Sequence, residues 1–335
     1  MGDVAILTGR SAAGKALESL YEPIATHLVA AEAVFDQELA SEAPHVRELV
    51  VHLAGYRGKR LRPTLLLLTA QACGNVSREH HILAAVVEMI HTATLVHDDV
   101  LDDASLRRHS STVNARFGNQ RSVLLGDMLF THAFYLASTT GSTVACRIIG
   151  ETTNRVCAGE LHQIAEQGNL DLDEAAYFDI IGGKTAALTG CCTQLGALFS
   201  GATEAVVESL TRFGNDLGMA FQIADDVLDL VGNEAQTGKS LGTDVQQRKL
   251  TLPLIHLLQR GRSEDTRRVR QHLEHERIDR GALRELLLQS GAIRSAVGEA
   301  ERFARSARHA LQVLAPSSSR QILEELTIEV VHRQR

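Results

Sequence analysis

Proline is scarce in this 335-residue chain: it occurs five times, and never between Pro63 and Pro253. A β-rich or α/β domain would need turn punctuation and more aromatic and β-branched residues over such an interval, and aromatics make up only 4%. Long helices are what remains. Paired cysteines are also lacking, since Cys73, Cys146, Cys157, Cys191 and Cys192 are odd in number, show no Cys-x-x-Cys spacing and sit in apolar stretches. That pattern predicts buried free thiols in a reducing compartment. No apolar run is long enough to cross a bilayer, because the longest, Ile82 to Val96, is interrupted by Glu88 and His91. Asp3, Arg10, Lys15 and Glu18 break up the start of the chain, so no secretory signal is expected. Nor is positive charge in excess: 41 acids against 34 Lys plus Arg give −7, which argues against a nucleic-acid partner. The expectation is a cytoplasmic protein, with peripheral membrane contact still open.

What is present is helical periodicity. The spacing predicts a flexible tail over 1–17 and one domain over 18–335, since no repeat or linker divides the chain. Apolar positions recur from Tyr21 to Leu39, and Pro44 starts a second helix. Arg62-Pro63 leads into Leu65–Ala72, which Gly74-Asn75 ends. A long helix from Ser77 runs through Val96, and further helices are expected over 120–138, 141–167, 171–181, 184–200 and 203–230. Gly232, Asn233, Gly238 and Gly242 predict a flexible loop over 232–248. The helices after Pro253 are rich in Arg and Glu, which predicts a solvated face.

Seven of the 17 aspartates lie in two short clusters, and one pentapeptide occurs twice: Asp98-Asp99-Val100-Leu101-Asp102 and Asp225-Asp226-Val227-Leu228-Asp229. Each ends an apolar helical run, which places Asp98 with Asp102, and Asp225 with Asp229, on one helix face. Like charges at that spacing repel, and turning them towards an apolar core costs still more. A hard divalent cation removes both penalties, and Mg²⁺ typically takes a few carboxylates plus substrate phosphate oxygens. One acidic helix end would be an ordinary surface feature. Two identical ones on apolar helices are not. Cations surround them: Lys59 and Arg62 in Gly58-Lys59-Arg60-Leu61-Arg62-Pro63, then Arg107, Arg108, Lys239 and Lys249. Mixed carboxylates and cations suit a metal-bridged diphosphate better than a polynucleotide.

Other signals carry less. Gly9 to Lys15 nearly spells a phosphate-binding loop, but Ala16 lacks the hydroxyl and no strand-rich domain follows. His97-Asp98 is also the dyad of helical metal-dependent phosphohydrolases, a reading that leaves the second cluster unexplained. Phe130, Phe134 and Tyr135 are expected in the core.

The motifs together resemble the trans-isoprenyl diphosphate synthases, or polyprenyl synthetases, from about Tyr21 onward. The resemblance rests on Gly58–Pro63, His91-Thr92-Ala93-Thr94-Leu95-Val96-His97, Arg107-Arg108 and Gly126-Asp127. It continues through Lys184-Thr185-Ala186, Phe221-Gln222 and Lys249-Leu250-Thr251-Leu252-Pro253. Arg57 departs from the pattern, where many members have glycine. The resemblance implies an all-α bundle of the isoprenoid-synthase type around a deep central cavity, usually a homodimer. It implies isopentenyl diphosphate contacts at Lys59, Arg62, His91 and Arg108. It implies allylic diphosphate contacts at Arg107, Lys184, Thr185, Gln222, Lys239 and Lys249. Mg²⁺ ligands fall on Asp98, Asp102 and Asp225, with Asp226 and Asp229 in support, and about three ions per active site are implied. Asp98, Asp102, Asp225, Asp226 and Lys184 carry the catalysis in that scheme, and the 232–248 loop would serve as a lid.

In this family the growing tail descends along the helix that carries the first aspartates. Thr94 and Ala93, four and five residues before Asp98, are small where short-chain members usually place an aromatic; Ile90, Val87 and Val86 follow one turn deeper. The expectation is a product beyond four isoprene units, made from a farnesyl or geranylgeranyl primer and suited to a quinone tail. A geranylgeranyl diphosphate synthase and a non-catalytic subunit are the alternatives. The second is disfavoured because no expected carboxylate or cation is missing. A terpene cyclase is less suitable, since its second metal motif mixes Asn, Ser or Thr with acids.

Overall fold

The computed structural model describes residues 21–108, 110–231, 242–274 and 280–332. The predicted tail, the near-phosphate-loop at Gly9–Lys15, most of the 232–248 loop and Lys239 therefore lie outside the described residues. The all-α expectation holds. The first half comprises α1 (Ala25–Leu39), α2 (Pro44–Leu53), α3 (Leu61–Cys73), α4 (Arg78–Leu101), α5 (Val113–Phe117), α6 (Asn119–Ser138) and α7 (Thr143–Ala165). The second comprises α8 (Glu174–Ile181), α9 (Ala187–Phe199), α10 (Glu204–Val231), α11 (Thr243–Gln246) and α12 (Leu252–Arg260). Then come α13 (Ser263–Glu274), α14 (Arg280–Gln289), α15 (Ala292–Ala310) and α16 (Ser318–His332). Among the described residues the only strands are β1 (Leu106–Arg107) and β2 (Ser110–Ser111), antiparallel with Leu106 opposite Ser111.

Two long helices organise the bundle. α4 packs along α6, α1 and α3, and α10 packs against α15 and α9; α9 closes on α3. Leu65, Leu66, Leu67 and Leu68 are all fully buried, so the middle of α3 is apolar and enclosed on every side. Side-chain oxygens of Thr112, Ser142 and Asp173 accept backbone N–H bonds at the starts of α5, α7 and α8.

Local differences from expectation have physical causes. α3 begins at Leu61, four residues earlier than the leucine run suggests, because Pro63 falls in the first turn, where a missing N–H costs nothing. Arg60 before it is left-handed, with φ 53°. The segment carrying Lys184 and Thr185 is a π-helical turn, Gly182–Ala186, rather than the start of α9. α7 lies so close to this turn that a Cβ on Gly159 would stand 2.5 Å from the Lys184 amide nitrogen. Tyr135 is 62% exposed, so the core expectation fails there, while Phe130 and Phe134 do pack against the core. The cysteines are unpaired, but Cys157 lies on an exposed face of α7 instead of inside. Exposed ion pairs such as Arg268–Glu264 at 2.6 Å confirm the solvated face of the later helices. No helix among the described residues is long and apolar enough to cross a membrane.

Candidate functional site

The first acid motif ends α4. Carboxylates there face the partial negative charge of a helix C-terminus, an arrangement that needs compensation. Asp98 is partly buried, and burial raises its carboxyl to about 6; Lys184 pulls it down, while Glu160 and Asp102 push it up. Asp102 accepts a bond from Lys249 Nζ at 3.1 Å. Asp99 points the other way and is 0% exposed. Its Oδ2 accepts from Tyr56 Oη at 2.5 Å, and its Oδ1 from Arg107 Nε at 2.8 Å and Nη2 at 2.7 Å.

The second motif closes α10 and follows the same inward–outward division. Asp225 stays partly open, whereas Asp226 is 5% exposed. Asp226 Oδ2 accepts from Tyr177 Oη at 2.7 Å and Oδ1 from Gln222 Nε2 at 2.7 Å. Thr185 Oγ1 in turn donates to Gln222 Oε1 at 2.8 Å. Burial and the neighbouring Asp244 hold the Asp226 carboxyl well above its ordinary range, against the pull of these two donors. Asp229 gathers the returning chain: its carboxylate accepts from Thr243 Oγ1 at 3.0 Å, Thr243 N at 3.3 Å and Asp244 N at 3.2 Å. Asp244 thereby joins the motif, and burial with Asp229 nearby raises its carboxyl to about 6. Sequence reasoning missed it.

Lys184 links the two motifs. Its Nζ contacts Glu160 Oε2 at 2.5 Å and Gln163 Oε1 at 2.8 Å. Burial opposes its charge, but Asp98 and Glu160 outweigh that effect and raise its pKa. Lys249, from the segment after α11, reaches the first motif. The ends of α4 and α10 thus share one site, with Lys184 and Lys249 between them.

A second group of cations lies beside Asp99. Burial lowers the pKa of Arg62, and its Nε has no hydrogen-bond partner among the described residues. A buried donor without an acceptor is the kind of group that an anionic ligand satisfies. Burial, then Arg62 and Arg108, hold His91 well below its usual pKa, so its imidazole is neutral. The Arg108 guanidinium lies against Gly58 and donates to the Tyr56 carbonyl. Arg60 pairs with Glu32 at 2.9 Å and Glu88 at 2.6 Å, and Arg57, the departure from the family pattern, pairs with Asp36 of α1. Lys59 is exposed at the loop tip.

Among the described residues no three His, Cys, Asp or Glu side chains converge to cage an ion by themselves. Asp98, Asp102, Asp225 and Asp244 nevertheless offer only hard oxygen donors, with burial already set against the ionised forms of Asp98 and Asp244. That donor set fits a hard dication completed by substrate oxygens. Of the length-determining candidates, Thr94 is partly open and bonds the His91 carbonyl at 2.8 Å, while Ala93 and Ile90 are 0% and 1% exposed in the packed wall.

Comparison with known proteins decides the family. A model of the polyprenyl synthetase family matches residues 43–289. The chain belongs to the polyprenyl synthetase family. It is 34% identical over 321 residues to octaprenyl diphosphate synthase of Escherichia coli (strain K12), covering 95% of this chain and 99% of that protein. A decaprenyl diphosphate synthase structure from Rhodobacter capsulatus superposes with a TM-score of 0.89 at 36% identity, over 95% of this chain and 99% of that one. A Caulobacter crescentus polyprenyl synthase, solved with calcium and isoprenyl diphosphate, gives 0.88 at 34% identity, over 95% and 98%. The chain is a trans-prenyltransferase, of the type that makes long polyprenyl diphosphates.

Proposed function

We propose that this polyprenyl synthetase condenses isopentenyl diphosphate with an allylic diphosphate, farnesyl or geranylgeranyl, in a Mg²⁺-dependent reaction. The observation that carries this reading is the meeting of two acid motifs at one end of the bundle, with Lys184 acting on both. The Caulobacter relative, solved with calcium and isoprenyl diphosphate, supports a divalent ion and a diphosphate on the same framework. Asp98, Asp102 and Asp225 would hold Mg²⁺, with Asp226 and Asp229 in support; to these we add Asp244. Bound there, the ions would neutralise the charge that develops on the departing diphosphate.

The chain's own residues do the rest. Arg107, Lys184, Thr185, Gln222 and Lys249 orient the allylic diphosphate; Lys239, outside the described residues, completes that set by resemblance. Lys184 must exchange Glu160 for phosphate oxygens, whose negative charge then takes over from Glu160 in favouring the ammonium form. Lys59, Arg62, His91 and Arg108 hold isopentenyl diphosphate. Neutral His91 can donate one N–H there without adding a further charge beside the guanidinium groups of Arg60, Arg62, Arg107 and Arg108. Loss of diphosphate leaves an allylic cation. The isopentenyl double bond attacks it, and a proton is lost to give a product five carbons longer; released diphosphate is a sufficient base. Water must be kept from the cation, a task the family resemblance would give to 232–248, most of which lies outside the described residues.

Small residues at Ala93 and Thr94 support a product longer than four isoprene units, of the length a quinone tail carries. A homodimer and peripheral membrane contact for product release belong to the same proposal. Labelled isopentenyl diphosphate, farnesyl diphosphate and Mg²⁺, followed by product separation by length, test it. Folded protein that incorporates no label would sink the reaction, and products that stop at four units would sink the chain-length claim.

A further inference from the structure

The second aspartate of each motif faces inward, and the protein treats both alike. Asp99 and Asp226 are 0% and 5% exposed, so neither can reach a ligand as freely as its neighbour. Each receives a tyrosine hydroxyl from a distant segment, Tyr56 at 2.5 Å and Tyr177 at 2.7 Å, and in both cases on Oδ2. The tyrosines are buried as well, at 4% and 3% exposure. The remaining oxygen, Oδ1, then binds a side chain that borders the site. On Asp99 this is Arg107, through two nitrogens; on Asp226 it is Gln222, which carries Thr185 with it.

A carboxylate held at one oxygen cannot rotate to re-aim the other, and side chains of the active site are only as well placed as the groups behind them. We infer that Tyr56 and Tyr177 are matched positioning residues, each locking an inward aspartate so that its free oxygen aims Arg107 or the Gln222–Thr185 pair at the allylic diphosphate. The inference rests on the proposed prenyl transfer for the identity of that ligand. The two locks are of unequal strength. Tyr56 Oη also accepts from Val113 N at 3.0 Å, and Arg107 holds Asp99 by charge as well. Without the Tyr177 hydroxyl, Asp226 keeps, among the described residues, the neutral amide of Gln222.

Tyr177→Phe and Tyr56→Phe each remove a single oxygen. Steady-state constants for both substrates and the melting temperature would be measured, with calorimetric titration of inorganic diphosphate in the presence of Mg²⁺. Tyr177→Phe is expected to raise KM for farnesyl diphosphate about tenfold, with KM for isopentenyl diphosphate within about twofold of the unaltered enzyme. Tyr56→Phe should give the same pattern at about threefold, and both variants should weaken diphosphate binding in the titration. Unchanged constants would overturn the inference. So would an equal loss for both substrates alongside a collapsed melting temperature, or failure of a variant to fold, since either marks a purely structural tyrosine. If the unaltered protein condenses nothing, the proposed reaction fails separately. The titration then still decides: unchanged diphosphate affinity in both variants overturns the inference, and weakened affinity upholds it.

Discussion

The two acid motifs are spelled with the same five residues and end two long helices, yet the protein compensates them differently. At the first, charge meets charge: Asp99 is paired with Arg107 and Asp102 with Lys249. At the second, the donors to the inner acid among the described residues are neutral, Tyr177 and Gln222, and Asp229 accepts from a threonine hydroxyl and two backbone N–H groups. The second motif also gains another carboxylate, Asp244. Among the described residues, then, the inner acid at the end of α4 is held by a cation and the one at the end of α10 by neutral donors. Identical words in a sequence can thus be held by different chemistry, and the difference is set by residues far away in the chain.

Substitutions of the outward acids should have the largest effect on turnover. Asp98→Ala and Asp225→Ala are each expected to reduce kcat by about 10² or more, roughly 3 kcal/mol of lost charge stabilisation. A much smaller loss at one would show that the two ends do not share the work. The inward acids should separate by stability. Asp99→Asn breaks a buried ion pair and should lower unfolding free energy by about 3 kcal/mol. Asp226→Asn loses only charge-assisted bonds to neutral donors and should cost about 1 kcal/mol, as read by chemical denaturation. Equal losses would erase the distinction drawn above.

A smaller effect is expected from pH. Asp98 and Asp244 have folded-state pKa values raised to about 6, above the ordinary carboxyl value, so the folded protein binds these protons more tightly than the unfolded chain. Without Mg²⁺, stability should therefore rise as pH falls from 7 through 6, by at most roughly 1 kcal/mol per group at pH 5. Asp244→Asn should remove the second motif's share. Mg²⁺ should reverse the trend, because it binds only the ionised carboxylates. Ala93→Tyr, one turn from the first motif and without counterpart at the second, should shorten the product with little loss of condensation rate. Unchanged product length would remove Ala93 from the account.

Much of this was legible in the residues. Helix positions followed from apolar spacing, and the repeated pentapeptide marked the site because like charges at the end of an apolar helix demand a partner. What stayed hidden depends on distance in the chain. Tyr56 lies 43 residues from Asp99 and Tyr177 lies 49 from Asp226, and a lone tyrosine carries no local signal of its partner. Asp244 was lost among polar loop residues, although Gly242-Thr243-Asp244 just before Lys249 could have drawn notice. Glu160 and Gln163, three apart on one face of α7, carry no local signal that Lys184 bonds to both. The π turn that carries Lys184 packs closely against Gly159, which no periodicity reports.

The central claim is that both motifs serve one prenyl-transfer site that makes a long chain. Its most direct test is incubation of the full chain with labelled isopentenyl diphosphate, farnesyl diphosphate and Mg²⁺, with products separated by length. The account predicts Mg²⁺-dependent incorporation into products beyond four isoprene units, nearly abolished by either Asp98→Ala or Asp225→Ala. Incorporation that survives loss of one motif, or no incorporation by folded protein, would contradict it.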